Sequence, residues 1–226
     1  GDGTYNTDGT SQSVASTVGN GAAATYAMRL QNDGNAADQL KVTGPAGDSD
    51  WQVQYFLHET STEITVDVTG SGWTSSSLAA GGEVALDLKV TPLSGADGNE
   101  ARSVLVTATS VADSAKKDAA KADTTCAPAY GPDLLINDGT SDLGDGVYNT
   151  DATSQTVAHT TDPSVAVTYP IKLQNDGNTE DQYKVTGPAG NSDWQVQYLL
   201  HATSTDVTAD VTGAGWTSAS MARGEE

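Results

Sequence analysis

The chain has 226 residues, and its 30 acidic residues outnumber 10 basic ones, which gives a formal net charge of −20 at pH 7. Nucleic-acid binding needs lysine and arginine to neutralise phosphates, so this charge argues against nucleic acid and against anionic membrane surfaces as partners. No run of about 18 or more apolar residues is present, which argues against membrane insertion.

A repeat governs the organisation of the sequence. Residues 1–83 recur as residues 144–226 at a constant offset of 143, with 56 identities in 83 aligned positions and no gap. Neither copy is a full unit, because residues 84–126 have no counterpart after Glu226 and residues 130–143 have none at the other end. We therefore expect the chain to be a window on a longer array of modules.

Along each copy, apolar and polar residues alternate with period two, which predicts strands that are buried on one face. In chain order, the predicted strands of the first copy are 25–31, 40–42, 51–55, 64–68, 84–90 and 102–109, and Leu134 and Ile136 mark a short first strand of the second copy. Residues 32–35 and 44–47 are predicted to be turns, since asparagine, aspartate and glycine tolerate positive φ. About seven or eight short strands per unit are typical of an antiparallel β-sandwich.

Two places depart from this pattern. Residues 114–123 (SAKKDAAKAD) have a helix-forming composition, but we predict a final edge strand there because a sandwich needs a closing strand. The alternative for this segment is a charged, partly helical connector. Pro170 replaces Ala27 on a strand, and proline is tolerated only at a sheet edge or a strand end.

The predicted domains follow from the repeat. Residues 1–126 form β-sandwich repeat 1, which lacks its first strand, and residues 133–226 form repeat 2, which lacks its last strands. Between them, residues 127–132 contain two prolines and are predicted to be a short, stiff linker. An open sandwich exposes unpaired backbone groups, so we expect the missing strands to be supplied. Covalent continuation of the chain is favoured over strand donation by a neighbouring subunit.

The residues also carry a family resemblance. The sequence LQNDGN…DQ, then VTGPAG, a strand tryptophan, the pair Gly72-Trp73 and the stretch VTP…VTATS occur in that order. This pattern resembles bacterial Ig-like repeat modules of the CARDB (cell-adhesion-related) type and their relatives, over nearly all of one unit. The resemblance implies tandem Ig-like antiparallel β-sandwiches that act as spacers, stalks, adhesins or filament units of secreted proteins.

Acidic turns make up a candidate metal site. Calcium prefers about six to eight hard oxygen ligands, which aspartate and asparagine side chains and loop carbonyls supply. The candidate calcium ligands are Asp138, Asp142, Asp145, Asp2, Asp8 and Asp151. No EF-hand or nonapeptide repeat is present, and the alternative is that these residues serve turn geometry alone.

The tryptophans are assigned mainly to the core. Trp51 and Trp194 alternate with valine and tyrosine on the inward face, so both are predicted to be buried. Trp73 and Trp216 follow glycine in a turn, where they would cap the sandwich. If the tryptophans were exposed instead, they would form a platform for stacking carbohydrate.

No catalytic residue is predicted. His58 and His201 are equivalent residues at a strand end, and no nucleophile motif such as G-x-S-x-G accompanies them. The single cysteine, Cys126, lies at the module boundary, where it could cross-link neighbouring chains or remain an inert thiol. We therefore expect the chain not to be an enzyme, and no cofactor other than calcium is expected.

These features predict a structural role. We expect a repeat unit of a secreted or cell-surface filament, stalk or adhesin, whose partners are copies of itself joined head to tail or by strand exchange. The composition, with sparse lysine and abundant serine, threonine and glycine, indicates secretion. The alternative function is a carbohydrate- or ligand-binding accessory module of a larger extracellular enzyme.

Overall fold

The computed structural model describes residues 3–226. The chain divides into two compact units, Gly1–Pro128 (unit 1) and Ala129–Glu226 (unit 2). Ala129 and Gly131 fall within unit 2. The backbone N–H of Ala129 donates to the side-chain oxygen of Asn178, and the carbonyl of Gly131 accepts from the N–H of Asp176.

Unit 1 contains nine strands and one short helix within the described residues. They are β1 (Ser13–Val18), β2 (Ala24–Gln31), β3 (Leu40–Thr43), β4 (Trp51–Leu57), β5 (Thr62–Glu63), α1 (Thr65–Thr69), β6 (Trp73–Thr74), β7 (Glu83–Pro92), β8 (Ala101–Ser110) and β9 (Lys117–Cys126). One sheet has the strand order β1-β9-β8-β3-β6 and the other has the order β2-β7-β4-β5. All pairings are antiparallel except that of β1 with β9, which is parallel.

The core of unit 1 lies between the two sheets. Tyr55 and Leu88 of the four-stranded sheet and Val42 and Val104 of the five-stranded sheet belong to one buried cluster. Each such side chain contributes roughly 1.5–3 kcal/mol when it leaves water. The predicted alternation is confirmed in β4, where Trp51, Val53 and Tyr55 are buried, and in β7, where Leu86, Leu88 and Val90 are buried. Unit 1 is thus an Ig-like antiparallel β-sandwich, as predicted.

The predicted strand at 64–68 is wrong, since residues 65–69 form α1. Ile64 and Val68 are buried, whereas Val66 is 84% exposed. A strand would place all three on one face, but a helix places residues i and i+4 together and turns i+2 away. Ile64 and Val68 therefore fit the strand pattern and the helix pattern, and only Val66 distinguishes the two.

The segment at 114–123 contains a strand, as predicted, but not an edge strand. β9 lies between β8 and β1, whose register runs from Ser13 beside Lys121 to Val18 beside Cys126. Residues 13–18 had not been predicted to form a strand. Small residues such as Ala119 and Ala122 occupy the buried positions of β9, which explains its weak hydrophobic signal.

The turn at 32–35 forms for a different reason from the predicted one. None of these residues has positive φ. Instead, the buried side chain of Asn32 donates from Nδ2 to the carbonyls of Ala36 and Leu78, and its Oδ1 accepts from the N–H of Gly34. One asparagine side chain thus replaces backbone partners that this turn does not provide.

The regular elements of unit 2 are shorter than those of unit 1. They are β10 (Pro132–Asn137), β11 (Asp142–Leu143), β12 (Ile171–Asn175), β13 (Lys184–Val185), β14 (Leu199–Leu200), β15 (Thr205–Asp206), α2 (Thr208–Thr212) and β16 (Trp216–Thr217). They form three antiparallel sheets with the orders β11-β10-β12, β13-β16 and β14-β15. Within residues 3–226, no helix has the length and hydropathy needed to cross a membrane.

Unit 2 repeats the pairings of unit 1 in register. Lys184 lies beside Thr217 as Lys41 lies beside Thr74, and Leu199 lies beside Asp206 as Phe56 lies beside Glu63. The helix α2 occupies the positions of α1 at the 143-residue offset. The two sequence copies therefore share these two pairings and the short helix, whereas residues 156–161, the counterpart of β1, form no strand.

The predicted first strand of the second copy is confirmed as β10, which pairs with one edge of β12. The N–H of Asn137 donates to the carbonyl of Pro170, the residue before β12. Asn175 instead bonds to Gly224 and Glu225. The carbonyl of Pro170 points toward β10, whereas the backbone groups of Asn175 point toward the opposite edge of β12, because backbone groups alternate along a strand. Pro170 directly precedes the first residue of β12, which is a strand-end position that proline tolerates.

Candidate functional site

Three carboxylates converge in unit 2. Asp133, Asp145 and Asp176 each offer one carboxylate oxygen, and these three oxygens lie within 4.8 Å of one another. Asp133 lies on β10, Asp145 follows β11, and Asp176 follows β12. The cluster thus draws its members from the β10–β11 hairpin and from the end of the strand that pairs with it.

Asp133 is the buried member of this carboxylate cluster, with 1% of its surface exposed. On β10, Asp133 and Leu135 alternate with exposed residues, so the strand itself directs the carboxylate inward. Its Oδ2 accepts a 2.8 Å hydrogen bond from the N–H of Gly146. Its Oδ1 is buried without a hydrogen-bond partner, although buried polar atoms are normally paired.

The turn that carries Asp176 is fixed by Asn175, the counterpart of Asn32. Asn175 donates from Nδ2 to the carbonyls of Thr179 and Met221, and its Oδ1 accepts from the hydroxyl of Tyr183 at 2.6 Å. Its Oδ1 also accepts from the N–H of Gly177 at 2.9 Å. These bonds give the exposed carboxylate of Asp176 a defined backbone position.

The hydroxyl of Tyr148 is affected by the negative charge of the carboxylate cluster. The hydroxyl of Tyr148 donates to Oδ2 of Asp176 at 2.6 Å. This hydrogen bond raises the pKa of Tyr148 to about 12, with smaller contributions from burial and from the charges of Asp176, Asp133 and Asp145. Among the ion pairs of residues 3–226, none involves the three clustered carboxylates.

Of the six predicted calcium ligands, the structure brings only Asp145 into the cluster. Asp138 accepts from the N–H groups of Thr140 and Ser141, and Asp142 forms a 2.9 Å ion pair with Lys172. These contacts are those of turns and of a surface ion pair.

The remaining three predicted ligands lie elsewhere. Asp8 and Asp151 are equivalent residues that accept from the N–H groups of Thr10 and Thr153 within their own turns. Asp2 lies outside the described residues. The contacts of Asp8 and Asp151 are therefore those of turn residues, which was the alternative to a calcium site.

Of the other two cluster members, Asp176 lies in one of the acidic turns that the sequence shows but was not among the six predicted ligands, and Asp133 was not identified. A signal for Asp133 is present in the sequence, because it is a charged residue within the apolar strand PDLLIN. In unit 1, Asp33 corresponds to Asp176 and likewise accepts from a tyrosine hydroxyl, that of Tyr5, at 2.8 Å. Asp133 has no counterpart in the first copy, since the offset of 143 places it before residue 1.

A second feature of unit 2 is an exposed apolar face, here called the open face. It consists of Tyr169, Ile171 and Trp194, all of which are exposed. Their counterparts in unit 1, Tyr26, Met28 and Trp51, are buried or half-buried. The difference arises although the local sequences are nearly the same.

The prediction that both strand tryptophans are buried is therefore half right. Trp51 is 1% exposed, but Trp194 is 65% exposed. In unit 1, Trp51 pairs with Pro92 at the end of β7, and its indole N–H donates to Glu100 at 2.8 Å. Both partners lie within residues 84–126, so the burial of Trp51 depends on residues outside its own strand.

Other candidate residues have structural surroundings. Nδ1 of His58 lies 2.9 Å from Oδ2 of Asp87, and this hydrogen bond and the carboxylate charge raise the pKa of His58. Trp73 and Trp216 are half-buried on the two-residue strands β6 and β16. Cys126 is fully buried in the core of unit 1, so the folded unit does not offer its thiol to another chain.

Comparison with known proteins gives no family. No protein-family model matches the chain, and no curated protein matches it. The resemblance to CARDB modules in particular therefore finds no support.

Several solved structures share some likeness with the chain. BcpA, the major pilin subunit of Bacillus cereus, is 9% identical with a TM-score of 0.37, covering 90% of this chain and 62% of that one. The class 5 fimbriae chaperone CfaA is 10% identical with a TM-score of 0.31, covering 95% and 81%. A PapD-like domain of human CEP192 is 13% identical with a TM-score of 0.32, covering 51% and 80%. Such low scores carry no argument about function, and the Ig-like assignment rests on strand order and pairing.

Proposed function

We propose that this chain is a structural repeat unit of a secreted or cell-surface filament, stalk or adhesin, in which modules follow one another head to tail. The observation that carries the proposal is the repeated local structure of the two units, because the β3–β6 and β4–β5 pairings and the helix α1 recur in unit 2 at an offset of 143 residues. The three side chains of the open face occupy positions that are covered in unit 1, where Trp51 is the clearest example.

The occupant that fits the open face is a further copy of residues 84–126. In unit 1, these residues form β8, β9 and nearly all of β7, and β7 lies between β2 and β4. Unit 2 already contains the start of the same ladder, because Asn175 donates to the carbonyl of Glu225 as Asn32 donates to that of Gly82. The next residues of a β7-like strand would continue along β12.

The inner surface of unit 2 retains the geometry that receives such strands. The hydroxyl of Tyr198 donates to the carbonyl of Pro188 at 3.1 Å, as Tyr55 donates to Pro45 at 3.0 Å in unit 1. Burial of the large apolar side chains of the open face would contribute roughly 1.5–3 kcal/mol each. In an array of such modules, each with its own hydrophobic core, the total stability is approximately the sum of the stabilities of the units and of the interfaces between neighbours.

The proposal is tested by extending the chain after Glu226 with a second copy of residues 84–126. Glu226 corresponds to Glu83, so the extension continues the repeat in register. We expect Trp194 to become protected from a soluble quencher, with its signal isolated by comparison with a Trp194→Phe variant. We also expect the extended unit 2 to unfold cooperatively.

The control is the same extension with Leu88→Asp in the appended copy. Leu88 is fully buried in unit 1, so a charge at that position should prevent docking and leave Trp194 accessible. Equal accessibility of Trp194 in the original and the extended chains would contradict the proposal. The filament or stalk role itself predicts that arrays of complete units, seen by electron microscopy, lengthen by a constant increment per unit.

A further inference from the structure

We propose that Asp133, Asp145 and Asp176 together bind one Ca²⁺ ion in unit 2. The proposal does not depend on head-to-tail assembly, because all three ligands come from unit 2 itself. It rests on the geometry of the cluster, on the unpaired buried oxygen of Asp133 and on the chemistry of the donor set.

The spacing of the carboxylates suits a shared ion. Two oxygens that each lie about 2.3–2.6 Å from one Ca²⁺ ion can be at most about 5 Å apart. One carboxylate oxygen from each of the three residues meets this limit, because these three oxygens lie within 4.8 Å of one another. Small side-chain rotations of the exposed residues Asp145 and Asp176 can close this spacing around an ion, because only Asp133 is fixed by burial.

The buried oxygen of Asp133 is an independent sign of a ligand. Asp133 is 1% exposed, and its Oδ1 has no hydrogen-bond partner, while its Oδ2 is held by Gly146. A buried carboxylate normally pairs with a cation or coordinates a metal. No lysine or arginine among residues 3–226 forms an ion pair with Asp133. An ion at the cluster would supply the missing positive charge.

The donor set favours calcium over other common metals. All three ligands are hard carboxylate oxygens, whereas zinc and other transition metals favour sites with imidazole or thiolate donors. Magnesium requires near-ideal octahedral geometry and gives up water reluctantly, while calcium accepts irregular sites with mixed carboxylate and water ligands. Two exposed turn residues and one strand residue form an irregular set.

Unit 1 provides an internal comparison. Asp33 and Tyr5 reproduce the hydrogen bond between Tyr148 and Asp176, but the first copy has no residue that corresponds to Asp133. The buried ligand is therefore unique to unit 2 within this sequence. The chain should accordingly bind one equivalent of calcium at this kind of site.

The experiment is a calcium titration of the metal-free full chain by isothermal titration calorimetry, supported by Tb³⁺ luminescence. Tyr148 can sensitise bound Tb³⁺, since its hydroxyl contacts Asp176. We expect one saturable site with a dissociation constant of about 1 mM or tighter, as in extracellular calcium modules. Asp133→Asn should weaken binding at least about tenfold, which even outer-shell changes achieve at metal sites.

The controls separate a specific site from general attraction to an acidic surface. Asp145→Asn and Asp176→Asn alter exposed ligands, so they keep the test valid even if Asp133→Asn fails to fold. Asp151→Asn and Asp33→Asn remove the same charge outside the cluster and should leave the affinity unchanged. The proposal is overturned by the absence of saturable binding, by unchanged affinity in folded cluster variants, or by equal losses in cluster and control variants.

Discussion

His58 shows how one side chain of the repeat acquires a pH dependence. Its pKa lies above the ordinary value of 6.5 because Asp87 accepts its hydrogen bond and attracts its charge. A raised folded-state pKa stabilises the fold fully below the unfolded-state pKa, and this contribution is lost as the pH rises through the folded-state pKa. Asp87 lies on β7, so the contact ties the end of β4 to its neighbour in the sheet.

We predict that His58 titrates above pH 6.5 in the folded chain, as measured by NMR chemical shifts of its ring protons. Asp87→Asn should return the titration toward 6.5, because it removes the carboxylate charge while retaining a polar side chain. The stabilising effect of Asp87 should also decrease as the pH rises from 6.5 through the raised folded-state pKa of His58. Identical titration curves in the chain and in Asp87→Asn would show that the contact does not form in solution.

At the scale of elements, alternation predicted the long strands because each has one buried face. β2, β4, β7 and β8 follow the period-two pattern closely enough to be located from sequence. The same rule failed at α1, since Ile64 and Val68 satisfy the strand and the helix patterns equally. It also missed β1, a mostly exposed strand that is held by backbone pairing with β9.

A pair of substitutions distinguishes helix from strand at this segment. Val68→Ala should destabilise unit 1 by about 2 kcal/mol, because it leaves a cavity at a fully buried site. Val66→Ala should change stability by no more than about 0.5 kcal/mol, since Val66 is 84% exposed. Ala209 already occupies the equivalent position in α2. Urea unfolding measures both, and equal losses would favour the strand.

At the scale of the whole molecule, the repeat and the fold class were readable from sequence, but the candidate site was not. Asp145 was identified among the acidic turns, yet nothing in the local sequence showed that it would meet Asp133 and Asp176. That meeting depends on β10 pairing with β12, which are separated by a long segment of 138–170. The exposure of Trp194 could not be read from its own strand either, because burial depends on strands elsewhere.

The net charge of −20 makes the whole molecule sensitive to any cation, so a calcium effect on stability must be separated from screening. At constant ionic strength, we predict that calcium raises the melting temperature of the chain and that chelation lowers it. An ion that binds only the folded state stabilises it by about 2.7 kcal/mol when its concentration is about 100 times the dissociation constant.

The predicted stabilisation should be confined to unit 2 and should require the carboxylate cluster. Hydrogen exchange at β10 and β12 should slow with calcium, because the ion would join the hairpin that carries Asp133 and Asp145 to the turn after β12. Exchange in β4 and β7 of unit 1 should remain unchanged, and Asp145→Asn should reduce the effect at the same calcium concentration. Equal stabilisation of both units, or the same response to magnesium, would identify screening of the acidic surface as the cause.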